Sequence, residues 1–244
     1  MKKRLDLIID ILKQQGYVTV KYLTEQLHYS TATINRDLNA LQKQKLIKRH
    51  YGGAELVENH GTPLVFRYHK MRPVKNLIAK RAAEFVEDGD TLFIDASTTT
   101  QYMAQYLVDK KDITVITNNM MLVTYLSENG VRCICLGGEV VEIPYMLGGD
   151  DAINVALGYH ADKMFFSTAG FSEDGKIYDG VYMMLHRIMS QNSDKVFFLA
   201  DHDKLCKNNQ RIFSDLSGVD YFVTDYEFCD ETIKKFGHKK FVLI

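Results

Sequence analysis

The sequence predicts an α/β protein of two domains, in which a small three-helix domain with a β-hairpin precedes a larger, doubly wound, mostly parallel α/β domain. The distribution of charge separates two parts of the chain. Residues 1–53 contain ten Lys or Arg and four Asp or Glu, whereas the remainder contains twenty Lys or Arg and twenty-seven Asp or Glu. The pattern of apolar residues changes from residue 61 onward, where helical spacing gives way to short apolar runs that alternate with helical segments. The length of 244 residues is sufficient for two domains.

Composition excludes several classes of protein. The chain is 46% hydrophobic and 25% charged, as in ordinary globular proteins. Residues 1–16 contain acids and no small-residue cleavage site, and no segment has the uncharged length that spans a bilayer, so we expect a cytoplasmic protein. The four cysteines lack C-x-x-C spacing and paired histidines. We therefore predict reduced thiols, no metal and no cofactor.

Three helices are predicted in the basic head. Apolar residues recur at helical spacing over residues 5–12. Thr19 is expected to cap a second, shorter helix, and Ser30 to cap a third. Two helices joined by a tight turn, with another packed below, make the helix-turn-helix plan. The apolar stripe of the third helix consists of Ile34, Leu38 and Leu41.

The third helix has a polar face opposite that stripe. At about 100° per residue, Arg36 and Asn39 lie opposite Ile34, whereas Asp37 lies nearer to the buried side. Arg, Asn and Thr side chains read base edges in the major groove of DNA, and a capped first turn offers N–H and hydroxyl groups to a phosphate. The predicted recognition residues are Ser30, Thr31, Ala32, Thr33, Asn35, Arg36, Asn39 and Lys43.

A basic hairpin follows. Leu46 and Ile47 begin a short strand, and Gly52 with Gly53 permits a tight turn. This is the wing of a winged helix-turn-helix domain, with cations placed to meet the DNA backbone or minor groove. A solvated charged face would explain each feature alone, but their combination with a local charge of +6 favours DNA. The predicted wing contacts are Lys48, Arg49, His50, Tyr51, Gly52 and Gly53.

The stretches "STATINRDLNAL" and "KRHYGGA", at residues 30–41 and 48–54, resemble the N-terminal signature of the DeoR/GlpR family of bacterial transcriptional repressors. Asn35 departs from the family pattern, which commonly has a second arginine beside Arg36. We expect Asn35 to change the preferred operator, or to reduce phosphate affinity, without abolishing DNA binding.

Seven short apolar segments of the acidic body predict strands of a mostly parallel sheet covered on both faces. A helix, "NLIAKRAAEFVED", is expected before them. Polar residues and glycines follow five of the strands, and such sheets bind ligands beyond the carboxyl ends of their strands. The segments are "TLFID", "ITVIT", "VRCICL", "KMFFS", "KVFFLA", "YFVT" and "KFVLI".

Residues 92–107, "LFIDASTTTQYMAQYL", place Ser97 and three threonines between a strand and a predicted helix. The N–H groups and dipole of a helix start, with the hydroxyls, form an anion site. The stretch contains neither the Gly-Lys-Ser/Thr of a Walker loop nor a G-x-S-x-G elbow. Two alternatives stay open: a helix cap alone, which needs one hydroxyl, and a nucleophilic Ser97 with His202 as its base.

The motifs "GDTLFIDASTTTQYMAQYL", "ITVITNN", "CLGGEV", "AGFSEDGKI" and "FFLADHDK" resemble, in order, those of the DeoR-type sensor domain, which is similar to ribose-5-phosphate isomerase. The resemblance implies that Ser97, Thr98 and Thr99 hold the phosphate of a sugar, while Asp95, Asp201 and Lys204 face the sugar. The full predicted effector set is Asp95, Ser97, Thr98, Thr99, Thr100, Asn118, Gly137, Gly138, Gly170, Asp201 and Lys204.

Two departures affect the sensor domain. Residues 182–185 replace an acidic run of the family, and "GGEVVEIPYMLGG" lacks the basic residue that often follows Gly-Gly. The effector is therefore expected to differ from typical family ligands, and an isomerase reaction loses an acid/base.

We predict a winged helix-turn-helix domain at residues 1–57, a linker at 58–75 and a sensor domain at 76–244. The expected protein is a non-enzymatic repressor of carbohydrate metabolism genes, a dimer or tetramer that a phosphorylated sugar releases from double-stranded operator DNA. Two alternatives are an isomerase-like enzyme with an attached DNA-binding head, and a constitutive DNA-binding protein whose second domain binds nothing.

Overall fold

The computed structural model describes residues 4–15, 17–50, 52–56, 70–142, 145–179, 183–205 and 211–244. The chain divides into two compact units, Met1–Arg67 and Tyr68–Ile244. None of the helices in the described ranges combines the length and the apolar character that crossing a membrane requires.

In its described residues, the first unit contains three helices and a three-stranded antiparallel sheet of order β1-β3-β2. The caps are as predicted, since Thr19 Oγ1 accepts a hydrogen bond from Tyr22 N at 3.1 Å and Ser30 Oγ accepts one from Thr33 N at 3.2 Å. The hairpin is also confirmed, whereas β1 was not predicted. In chain order the elements are α1 (Arg4–Gln15), β1 (Tyr17–Thr19), α2 (Val20–Leu27), α3 (Thr31–Lys43), β2 (Ile47–His50) and β3 (Gly53–Leu56).

The apolar stripe of α3 is buried together with Ile8 and Leu12 of α1. Asp37 lies on this side of α3, where the Arg4 guanidinium pairs with both of its carboxylate oxygens, with Nη2 2.8 Å from Oδ1. The pair ties α1 to α3 and removes the only acid of α3 from its exposed face. The prediction that Asp37 lies nearer to the buried side is confirmed.

The second unit is built around a seven-stranded parallel sheet. Its elements in chain order are α4 (Arg72–Ala83), β4 (Thr91–Ile94), α5 (Ala104–Leu107), β5 (Thr114–Thr117), α6 (Met120–Glu128), β6 (Arg132–Cys135), β7 (Glu139–Glu142), β8 (Met146–Gly148), α7 (Asp150–Leu157), β9 (Ala161–Phe166), β10 (Gly170–Phe171), β11 (Lys176–Tyr178), α8 (Met183–Gln191), β12 (Ser193–Leu199), β13 (Ile212–Asp215), β14 (Tyr221–Thr224), α9 (Asp230–Phe236) and β15 (Phe241–Leu243).

The strand order of the large sheet is β15-β14-β12-β9-β4-β5-β6, and each neighbouring pair is parallel. From β4 the chain first adds β5 and β6 on one side and then β9, β12, β14 and β15 on the other, which is the doubly wound arrangement. All seven predicted segments are strands of this sheet, so the predicted fold class is confirmed. Two small antiparallel sheets, β7-β8 and β10-β11-β13, were not predicted.

Aromatic side chains stack across three adjacent strands on both faces of the sheet. Phe197 of β12 is paired in register with Phe165 and Tyr221, and both ring centroids lie 4.7 Å from its own. On the other face, Phe198 lies 5.2 Å from Phe166 and 4.8 Å from Phe222. Successive residues of a strand point to opposite faces, so each dipeptide contributes one ring to each ladder.

Two helix predictions need correction. The helix expected from Asn76 begins at Arg72, with Pro73 in its first turn, so residues 72–75 of the predicted linker are helical. The helix expected after Ser97 is instead a 3-10 turn, Thr100–Met103, followed by the four residues of α5. Thr100 Oγ1 donates to the Asp95 carboxylate, and such side-chain bonds compete with regular helix geometry. The predicted helix dipole is accordingly small.

Candidate DNA-binding face and effector site

The exposed face of α3 is the one that periodicity predicts. Six of the recognition residues named above are exposed, and Thr33 and Asn35 are half-buried beside them. Gly53 was predicted to be a wing contact. It is instead buried in the sheet, where it pairs with Thr19 and His50. Tyr51 lies outside the described residues, and only the backbone of His50 is described.

The side chain of Arg49 does not extend outward from the wing, as was predicted for a DNA contact. Its guanidinium is bound to α3, because Nη1 donates to Asn39 Oδ1 at 2.8 Å and Nη2 donates to Asn35 Oδ1 at 2.7 Å. Lys48, the preceding residue of β2, is exposed. Alternation along a strand sends these two side chains to opposite faces. The two cations therefore do not form one continuous basic strip.

The predicted effector residues follow five adjacent strands of the large sheet, in the order β12, β9, β4, β5 and β6. The winding direction reverses between β4 and β9. Open α/β sheets bind ligands at such a switch point, outside the carboxyl ends of the strands. Residues 95–100, 167–170 and 200–204 surround this point.

The hydroxyl-rich loop, residues 95–100, is held by its own side chains. Thr100 Oγ1 donates to Asp95 Oδ1 at 2.7 Å, and Ser97 Oγ accepts from Thr100 N at 3.2 Å. Ser97 and Thr100 thus fix the shape of the loop. Thr98 Oγ1 accepts from Lys75 Nζ at 3.0 Å, and Thr99 Oγ1 is buried without a hydrogen-bond partner in the described part of the chain.

Asp95 is buried in protein contacts and does not face open space as the resemblance implies. Its side chain is 2% exposed, and Oδ2 accepts from Ser167 N at 3.1 Å and lies 3.3 Å from His186 Nε2. Because Oδ1 already accepts from Thr100, both oxygens are engaged. Asp95 therefore joins the ends of β4 and β9 to α8.

His186 carries a second buried ion pair, with Nδ1 2.6 Å from Asp179 Oδ2. Burial lowers the pKa of His186, but the carboxylates of Asp179 and Asp95 outweigh it and raise that pKa to about 10. The imidazole is therefore charged at neutral pH and compensates two buried acids. Sequence reasoning missed it, since nothing in the local pattern distinguishes this histidine.

The segment that departs from the family's acidic run leads into His186. Met183 and Leu185 pack in the hydrophobic core, and Met184 is exposed. Tyr182 lies outside the described residues.

Lys204 and Asp201 follow β12. Lys204 Nζ donates to Ser167 Oγ at 2.6 Å and to Thr168 O at 2.9 Å. Asp201 is 1% exposed, and its Oδ1 accepts from Asp203 N at 3.1 Å. The loops after β12 and β9 are thus joined by a cation at the switch point.

The buried side-chain nitrogen and oxygen atoms without a partner in the described ranges all belong to predicted site residues. They are Thr99 Oγ1, Asn118 Oδ1 and Asp201 Oδ2 in the effector set and Arg49 Nε in the DNA-binding set. Buried polar atoms in folded proteins are nearly always hydrogen-bonded, so exceptions need an explanation. Three of the four here fit a polar ligand at the carboxyl ends of the strands.

The glycines of the predicted effector set have different roles. Gly138 has φ +93°, and a Cβ there would lie 2.2 Å from Gly148 O. Close approach of the backbone to β8 therefore requires glycine at this position, irrespective of any ligand. Gly137 also has a left-handed φ of +70° but borders open space, and Gly170 is buried in β10.

Lys75 is a site residue that the sequence analysis missed. It is 4% exposed and reaches Thr98 from the first turn of α4. Proline is favoured in the first turn of a helix, so Pro73 marks the true start. From that start, Lys75 shares the buried face of Ile78 and Ala79, and a cation in an apolar stripe is the signal that was available.

The hydroxyl at Ser97 is not arranged for nucleophilic catalysis. Ser97 bonds to Thr100, whereas His202 pairs with Asp225, whose Oδ1 accepts from His202 N at 2.8 Å. The Ser97–His202 pair considered from the sequence is not formed.

Two surface hollows lie at the opposite, amino-terminal ends of the strands. One is lined by Lys195 and Tyr221 among others, and the second by Thr114 and Arg132 among others. Neither contains a predicted effector residue. Parallel sheets bind ligands at their carboxyl ends, so the switch point is the candidate effector site. Among the described residues, no three His, Cys, Asp or Glu side chains are grouped to hold a metal ion.

Comparison with known proteins identifies both units. A family described as "DeoR-like helix-turn-helix domain" matches residues 4–60, and one described as "DeoR C terminal sensor domain" matches residues 71–226. The glycerol-3-phosphate regulon repressor of Escherichia coli (strain K12) is 33% identical over 222 residues, covering 89% of this chain and 88% of that protein. The HTH-type transcriptional repressor GlcR of Bacillus subtilis (strain 168) is 35% identical over 240 residues, covering 94% and 92%.

The lactose phosphotransferase system repressor of Lactococcus lactis subsp. lactis is 28% identical over 250 residues, covering 99% of this chain and 98% of that protein. These relatives span nearly the full length of the chain, and all three are transcriptional repressors. The chain therefore belongs to the DeoR family and is a DNA-binding transcriptional repressor, not an enzyme.

Proposed function

We propose that this repressor controls carbohydrate metabolism genes and leaves its operator when a phosphorylated sugar binds at the switch point of the second domain. The observation that carries the proposal is the pair of lysines at this point. Lys75 reaches Thr98 of the loop after β4, and Lys204 reaches Ser167 and Thr168 after β9. Lysine ammonium groups bind phosphate as point charges, so an anion is favoured here.

The unpartnered atoms indicate the rest of the ligand. Asp201 Oδ2 and Asn118 Oδ1 are acceptors, and a sugar offers hydroxyl donors to both. Thr99 Oγ1 can donate to a phosphate oxygen. A ligand with one anionic group and several hydroxyls fits all three. The names of two relatives, which refer to glycerol-3-phosphate and to a lactose phosphotransferase system, agree with this class.

Release requires that the ligand bind the DNA-free state better than the DNA-bound state. A helix-turn-helix dimer reaches two half-sites when its recognition helices are about 34–36 Å apart. A ligand that changes this spacing weakens operator binding. The proposal therefore includes a dimer or tetramer.

Exposed apolar side chains support self-association. Met120 N of α6 donates to Tyr145 O at 2.9 Å, beside the β7-β8 hairpin. The exposed residues of this region are Met120, Tyr125, Val140, Val141 and Tyr145. Light scattering of the wild type and a Val140→Asp variant tests the idea, and an unchanged mass would place the interface elsewhere.

The function is tested by titrating the protein onto labelled DNA from upstream of its own gene, with fluorescence anisotropy as the readout. A panel of sugar phosphates and the corresponding unphosphorylated sugars is then added. Release by one sugar phosphate, and not by its unphosphorylated form, supports the proposal. Tight binding that no sugar phosphate disturbs would indicate a constitutive repressor or another effector class.

A further inference from the structure

The guanidinium of Arg49 connects strand β2 of the wing to helix α3. Arg49 of β2 donates from Nη1 to Asn39 Oδ1 and from Nη2 to Asn35 Oδ1, at 2.8 and 2.7 Å. Its Nε is buried and has no partner in the described part of the chain. The two amide oxygens are thus the acceptors that this guanidinium has on α3.

The bridge fixes the orientation of both amides. Asn35 uses its nitrogen as well, because Nδ2 donates to Thr31 O at 2.9 Å, so both polar groups of Asn35 are engaged within the protein. Asn39 is exposed, and its Oδ1 accepts from Arg49. This bond occupies one of the two acceptor positions of Oδ1 and fixes which side of the amide carries the Nδ2 donor.

The departure at residue 35 fits the same arrangement. An arginine at that position would bring a second guanidinium to the place where Asn35 Oδ1 receives Arg49. Like charges at this distance repel, and the acceptor would be lost. Asn35 therefore accommodates Arg49 on the helix.

We propose that Arg49 is a positioning residue that fixes the amides of Asn35 and Asn39, so that Asn39 presents its Nδ2 donor to an acceptor group on a base in one defined orientation. This inference rests on the proposed operator binding through α3. Arg49 acts through Asn39, and Asn35 serves as its second anchor.

The test compares Arg49→Lys with wild type on an operator and on a set of its single base-pair substitutions, by fluorescence anisotropy at several salt concentrations. Lysine keeps the charge but cannot bridge two amides with a planar fork. We expect the slope of log affinity against log salt to stay unchanged, while discrimination at one base pair falls by about tenfold, the size of one base contact. The base pair is defined as the one whose discrimination is also lost in Asn39→Ala.

Two further variants sharpen the comparison. Asn35→Ala removes the second anchor and should lose discrimination at the same base pair, and the double variant Asn35→Ala/Arg49→Lys should be no worse than either single variant. Lys43→Gln is the matched control, since it removes an exposed cation of the same helix. It should weaken binding to all sequences alike and reduce the salt slope by about one.

Unchanged base discrimination in Arg49→Lys, or losses that add in the double variant, would overturn the positioning role. A wild type that shows no preference for any operator would overturn operator binding itself, which is a separate result. Far-UV circular dichroism and thermal melting of each variant verify that α3 is folded. Should Arg49→Lys fail to fold, Asn35→Ala alone decides, because the same base pair must be affected.

Discussion

The ammonium group of Lys204, which follows β12, lies 2.6 Å from the hydroxyl oxygen of Ser167, which follows β9. Ser167 in turn donates its hydroxyl to Leu199 O and its backbone N–H to Asp95 Oδ2. One small residue therefore connects three neighbouring strand ends at the point where the winding of the sheet reverses. A ligand that binds Lys204 alters contacts of all three strands at once.

Replacing Lys204 by Met should uncouple the effector from DNA binding. The operator affinity should stay unchanged, while the sugar phosphate concentration for half-release rises by about 10- to 100-fold, because a hydrogen bond to a charged group contributes about 1.5–3 kcal/mol. Anisotropy titrations of the protein–DNA complex measure both quantities. Lys195→Met, at the exposed amino-terminal end of β12, is the control. Normal release by the Lys204 variant would exclude this residue from the site.

Ser97→Ala should spare DNA binding and blunt release. The Ser97 hydroxyl accepts from Thr100 N and lies 2.8 Å from Thr100 Oγ1, so its loss loosens the loop that carries Thr98 and Thr99. A lost cap of this kind also lowers the free energy of unfolding by about 1 kcal/mol. Urea denaturation and effector titration separate the two effects. If DNA binding is lost and release is normal, the loop has a structural role alone.

Arg36→Ala should weaken operator binding by about 1–3 kcal/mol and relax specificity at the base that Arg36 contacts. Arg36 is exposed near the middle of α3, on the face opposite the buried stripe. Affinities for the operator and its single-substitution variants check the prediction. Arg132→Ala, an exposed position in β6 of the other unit, should change nothing. Equal affinity of wild type and Arg36→Ala would remove Arg36 from the interface.

His186→Gln should destabilise the second domain, since it removes the cation that pairs with the buried carboxylates of Asp95 and Asp179. Removal of one partner of a buried ion pair costs about 3–5 kcal/mol. The pKa of His186 is raised from 6.5 to about 10, so its stabilising contribution is fully present below pH 6.5 and is lost as the pH rises toward about 10. Urea denaturation from pH 6 to pH 10, compared between wild type and variant, should show a difference that narrows with pH. A difference independent of pH would indicate a neutral imidazole.

Periodicity and strand ends predicted much of this molecule. The exposed face of α3 followed from helical spacing around Ile34, and all seven segments could be recognised as strands because each is short and apolar. These features depend on local sequence, which is why one chain suffices to find them.

Contacts between distant residues could not be predicted in the same way. His186 meets Asp95 across 91 positions of the numbering. Lys75 was not predicted as a site residue because the helix was expected to begin at Asn76, three residues after Pro73, which marks its actual first turn. Arg49 was expected to extend outward because a charge on a hairpin normally does, and the two amides that bind it lie on another element.

The aromatic ladders of the sheet limit how this repressor can move. If β12 slipped by one residue, Phe197 and Phe198 would exchange faces of the sheet and leave their present partners Phe165 and Phe166. Ser167 follows β9 and Asp201 follows β12, the strands that carry these rings, so we do not expect the two strands to slide along each other. We expect the large sheet to move as a rigid body. Under the proposed function, the effector would then act on DNA binding through the loops at the carboxyl ends of the strands, or by rotating the sheet as a whole.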